Sequence, residues 1–128
     1  MRKFTEKEME QIWYDAYCAG IDAGSNKIPT PMNVQEADLS GNPVPGSKVY
    51  HVPEGVCGFA WVIVKPGNSR FARFMKRRCE SKPHYYGGVC HWIRQYNQSY
   101  ERKMAHAEAF AEVLRKYGIN AYADGRLD

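Results

Sequence analysis

Apolar and polar positions alternate with two different periods along this 128-residue chain, and the changes of period mark its elements. From Glu6 to about Ala23, Met9, Ile12, Trp13, Ala16, Tyr17 and Gly20 recur at spacings of three and four, the stripe of an amphipathic helix. Thr5 and Glu8 stand where a capping box would start it, and Gly24-Ser25-Asn26 would end it. Residues 24–47 then hold Pro29, Pro31, Pro43 and Pro45 with Gly41 and Gly46, so this stretch reads as an irregular Pro/Gly-rich segment. Lys48–Val52, a turn at Pro53-Glu54-Gly55 and Val56–Val64 predict a β-hairpin. Its second strand is apolar on both sides, with Phe59, Trp61 and Ile63 opposed to Ala60, Val62 and Val64. That pattern fits a central strand covered on both sides, or one with its small-residue face under a helix. Asn68 or Ser69 caps a helix to about Arg78, residues 86–94 read as a strand, and Asn97-Gln98-Ser99 caps a helix over 100–117 that ends at Gly118. The apolar face of that last helix is Tyr100, Met104, Ala107, Phe110, Ala111 and Leu114. A short strand, 119–123, follows.

The fold class predicted is therefore α+β: an N-terminal helix (1–23), the irregular segment (24–47) and a β-β-α-β-α-β core (48–128), in one domain. The strand–helix–strand crossovers predict parallel neighbours, hence a small mixed sheet packed by helices.

Charge adds an asymmetry. Residues 1–64 carry 5 Lys+Arg against 8 Asp+Glu, a net −3, whereas residues 65–128 carry 13 against 6, a net +7. A basic C-terminal half points to an anionic partner, either nucleic acid or nucleotide, or an acidic protein. Arg70, Arg73 and Arg77 share a helical face, and Lys82, Tyr85 and Tyr86 follow closely. Cations with flat rings suit single-stranded nucleic acid. The two strand-to-helix turns offer a second anion site. If their strands are parallel, Asn68, Ser69 and Arg70 meet Asn97, Ser99 and Arg102 at one sheet edge. Each of these features has a plainer reading, a solvated helix face in the first case and simple capping in the second.

Other chemistry is poorly supported. Cys79, His84, Cys90 and His91 lack the tight pair spacing of a zinc site, and adjacent strand residues point to opposite faces. No local signature joins one of the four cysteines to one of the four histidines as a nucleophile and base. Cys18 and Cys90 read as core thiols, and His106 as an edge or surface residue. We assign no catalytic residue, no metal and no cofactor. No apolar run approaches a membrane span, and Met1–Glu6 lacks an apolar signal core, so the expected setting is the cytoplasm. The sequence specifies no oligomeric state.

Cys57-Gly58-Phe59-Ala60-Trp61-Val62, Tyr85-Tyr86-Gly87-Gly88-Val89, Tyr96–Lys103 and the ending Gly125-Arg126-Leu127-Asp128 resemble a group of small uncharacterised proteins of tailed bacteriophages and prophages. The resemblance spans residues 56–128. It implies an intracellular accessory or host-takeover factor, and carries no activity or site residues with it.

Overall fold

The structure, a computed structural model, describes residues 3–128. The chain folds as α1 (Glu6–Asn26), β1 (Met32–Gln35), β2 (Val49–Val52), β3 (Gly58–Val64), α2 (Arg70–Arg78), β4 (Lys82–Pro83), β5 (Val89–Trp92), α3 (Tyr100–Lys116) and β6 (Ala121–Leu127). The α+β class is as predicted. So are the caps: Thr5 and Glu8 form a reciprocal box at α1, and Ser69 and Ser99 cap α2 and α3. α1 does not stop at Gly24. It continues to Asn26, the last residue of the stretch expected to end it, and the bare Cα of Gly24 lets the Tyr96 ring close against the helix.

The strand pairing differs from expectation. β2 does not pair with β3; it pairs antiparallel with β1, Met32 opposite Val52 and Gln35 opposite Val49, as a two-stranded ribbon. The predicted irregular segment thus holds a strand between its prolines. The main sheet has the order β4-β5-β3-β6, and every neighbouring pair is antiparallel. It is not mixed. The reason is β4, whose two residues gave no strand signal. The α2 crossover ends on β4, and β5 then turns back by a hairpin to lie between β4 and β3. The α3 crossover likewise carries the chain from β5 past β3 to β6. Each crossover joins parallel strands that are two positions apart, and an antiparallel strand fills the gap. Residues 58–127 therefore follow the double split β-α-β order.

Ala60, Val62 and Val64 of β3 and Val89 of β5 face the helices and are buried with Ala107, Phe110, Ala111 and Leu114 of α3. The small-residue side of β3 is thus the side under a helix. α1 runs along α3, and its Trp13 is wedged against Phe71 of α2, Phe110 of α3 and His91 of β5, with ring centroids 6.4, 4.7 and 4.9 Å away. The two long helices touch at Gly20, where a Cβ would lie 2.6 Å from the His106 ring. His106 is a core residue, 1% exposed, and not the surface residue predicted. Cys90 is buried as expected, whereas Cys18 is exposed.

Gly20→Ala sets two effects against each other. Alanine gains about 1 kcal/mol of helix propensity over glycine, but here its methyl overlaps a packed ring, and overpacking costs about 1–3 kcal/mol. We expect the clash to win and the urea midpoint to fall; a rise would show that the helices separate freely at this contact.

Candidate nucleic-acid interface

Among the described residues, all three helices share one hydrophobic cluster that leaves out Ile63 and Cys90 on the other face of the main sheet, where these two are nonetheless buried, 1% and 5% exposed. Because side chains alternate along a strand, burying Ala60, Val62 and Val64 turns Phe59, Trp61 and Ile63 to this face. The register then adds neighbours on the same side. Trp92 lies opposite Trp61, Cys90 opposite Ile63, and Lys82 opposite Cys90. On the other flank Arg126 lies opposite Phe59, Asp124 opposite Trp61 and Tyr122 opposite Ile63. The result is a layer of rings. Trp61 and Trp92 pack in a tilted arrangement with centroids 4.7 Å apart at 33°, Phe59 meets Trp92 at 5.8 Å, and His84 lies 6.2 Å from Trp61. The β4–β5 turn extends the layer through Tyr86 and Tyr85, which are 79% and 90% exposed. Trp92 itself is 40% exposed.

Cations border these rings. Arg126 and Lys103 lie 5.4 and 5.6 Å from the Phe59 centroid, and Lys65 lies 5.6 Å from that of Tyr122. Asp124 places an acid on this face, and its Oδ1 accepts from the Gly125 N–H. Beneath the layer Trp61 Nε1 is buried with no hydrogen-bond partner among the described residues. An unpaired buried donor costs about 1–3 kcal/mol, so this surface is not arranged for stability alone.

Where β5 leaves the sheet, a pocket of about 650 Å³ opens, lined in part by Phe59, Trp92, Arg94, Asn97, Gln98 and Lys103. Tyr96 and Asn97 take left-handed backbone angles, φ 69° and 52°, in the bend that forms its wall. Tyr96 is fastened from behind: its hydroxyl lies 2.8 Å from His106 Nδ1 and 3.4 Å from the Gly20 carbonyl.

The predicted sites fare unequally. Tyr85, Tyr86 and Lys82 belong to the ring face or its edge. The α2 arginines do not. Arg70 Nε donates to the Phe4 carbonyl at 2.6 Å, Arg77 pairs with Glu6 at 2.7 Å, and Arg78 bridges Glu6 and Glu10. Arg73 is exposed beside them, at a hollow of about 180 Å³ that Glu6 and Met9 also line. Acids of the negative half thus cover cations of the positive half, and the Arg77 hydrogen bond holds the Glu6 carboxyl below its ordinary range. This stripe fastens α2 to α1.

The composite turn site is also corrected. β3 and β5 are antiparallel, so the turns that follow them lie at opposite ends of the sheet. Asn68, Ser69 and Arg70 therefore do not meet Asn97, Ser99 and Arg102. Ser69 caps α2; Ser99 caps α3 and donates to the Glu54 carbonyl; Arg102 is bound by Glu54 and the carbonyls of Gly24 and Ser25. Of the six, Asn97 lines the pocket. No group of three His, Cys, Asp or Glu residues suited to a metal occurs among the described residues. Burial raises the thiols of Cys90 and Cys79, the latter to about 12. No described helix is long and apolar enough to cross a membrane.

Sequence reasoning passed over Phe59, Trp92, Lys103, Tyr122 and Arg126 as site residues. The alternation of Phe59 and Trp61 was visible, but the identity of the uncovered face was not. No family model, curated protein or solved structure matches the chain.

The histidine behind the pocket yields a prediction. Burial first, and His91 second, push the His106 imidazole down to about 4 from its ordinary 6.5. Between those values the unfolded chain holds a proton that the folded chain refuses, so stability falls as pH drops through that window and is unaffected above it. The loss from this residue is on the order of 3 kcal/mol by pH 4. Urea midpoints from pH 7.5 to 4.5 should decline in the wild type and decline less in His106→Gln. Equal declines would show that the ring is hydrated in the folded state.

Proposed function

We propose that the open face of the β4-β5-β3-β6 sheet binds single-stranded nucleic acid by stacking unpaired bases on its rings. The observation that carries this reading is the pairing of Trp61 with Trp92 on the two central strands, next to partly buried Phe59 and bordered by Lys82, Lys103 and Arg126. Four-stranded RNA-binding sheets place aromatic residues on their surface in this way and stack two or three bases there. Every base offers a flat face, so such a layer is tolerant of sequence, while nearby cations neutralise the backbone. The residues that resemble uncharacterised small proteins of tailed bacteriophages and prophages, 56–128, are also those that build this face. No catalytic step is proposed.

This reading moves the working surface from the α2 arginines to the sheet. Trp92→Ala removes an exposed ring and leaves the core intact. It should weaken binding of an eight-residue deoxythymidine strand by roughly 5- to 150-fold, the range for loss of one stacked base. Arg73→Ala, on the far side, should change it less than about threefold, as expected for a residue outside the interface. Fluorescence anisotropy at low salt measures both. If no oligonucleotide binds even there, the reading fails, and the ring layer is left as a face for docking another protein.

A further inference from the structure

Lys103 leaves α3 on the covered side of the sheet, yet its ammonium lies over the Phe59 ring and donates to the Gly58 carbonyl at 3.3 Å. It is 5% exposed. Burying a charge is costly unless it is paired, and no carboxylate pairs with it among the described residues. One hydrogen bond and one ring leave two of its three N–H donors unused. Lys103 lines the 650 Å³ pocket, a volume within the usual range for small-ligand sites. The same pocket is lined by the amides Asn97 and Gln98, by Lys82, and by Arg94 with Glu80, whose carboxylate lies 3.8 Å from the guanidinium in a largely exposed contact. Trp92 lines the same pocket. A base stacked on that ring would have its own phosphate within reach of the unused donors.

We propose that this corner pocket is a phosphate subsite, with Lys103 as the buried cation that receives one phosphate group of the bound strand or of a nucleotide. The inference rests on the strand-binding reading of the open face, and the two can fail separately.

The test uses the full chain, the eight-residue deoxythymidine strand at several salt concentrations, and thymidine beside thymidine 5′-monophosphate, read by tryptophan fluorescence. Lys103→Met should weaken strand binding about tenfold, the loss of a hydrogen bond to a charged group. It should also make the log–log salt dependence shallower by about 0.7, one phosphate contact on a single strand. Lys103→Arg should restore most of both. Trp92→Ala should weaken binding with the salt dependence unchanged. Wild-type protein should prefer the monophosphate to thymidine about tenfold, which needs no variant and so does not depend on the folding of Lys103→Met. Stronger binding of the octamer than of the monophosphate would assign the pocket to a backbone phosphate, and the reverse order to a free nucleotide. An unchanged salt dependence in a folded Lys103→Met, or no preference for the monophosphate, overturns the subsite even where Trp92→Ala upholds the stacking face. Absence of strand binding with a Lys103-dependent preference for the monophosphate would instead remove the stacking face and keep the subsite.

Discussion

The alternation of side chains along β3 governs both faces of the protein. Ala60, Val62 and Val64 give α3 a flat, small-residue floor, and the helix lies down on it with Phe110 and Leu114 buried. A strand cannot aim those residues inward without aiming Phe59, Trp61 and Ile63 outward. Since β3 is flanked by β5 and β6, its outward rings acquire neighbours from both, and the register decides which. A shift of one residue would send the rings into the helices and the alanine and valines to solvent. Core and interface are thus set by the same pairing.

Helix geometry explains why the helices cover one face. All three helices join a single hydrophobic cluster. α1, which arrives before the sheet in sequence, settles along α3 and fills the space toward α2 with Trp13. Its acidic first turn then meets the basic last turn of α2 through Glu6, Arg77 and Arg78. These pairs are half-exposed and individually weak. Their effect on function is larger than on stability, because they occupy the cations that seemed freest in the sequence.

What was legible in the sequence follows from the range of each signal. Caps and helical stripes act over three or four residues, and Thr5, Ser69 and Ser99 were readable for that reason. Pairing partners are set over long distances. β4 is two residues long and invisible to any periodicity, yet it decides that β5 runs antiparallel to β3. His106 was read as an edge or surface residue, and Lys103 drew no reading as a buried one, since lysine is rarely found in a core. Each is buried because a distant group receives it: the Gly58 carbonyl and Phe59 ring for one, the Tyr96 hydroxyl for the other. The candidate site was half legible. Tyr85, Tyr86 and Lys82 were picked out by composition, while Phe59, Trp92 and Arg126 became significant only once one side of the sheet was seen to lie outside the helical cluster.

The β1–β2 ribbon stands apart from this economy. Its strands pair with each other and with no strand of the main sheet. Its two ends meet, since Thr30 and Gly55 are so close that a methyl on the glycine would fall 2.5 Å from the Thr30 oxygen, and the Thr30 N–H is held by the Glu101 carboxylate. The chain therefore leaves the body and returns to it at one point. An excursion with that geometry behaves as a cassette: it can be lengthened, trimmed or exchanged between relatives without re-routing the polypeptide beneath it.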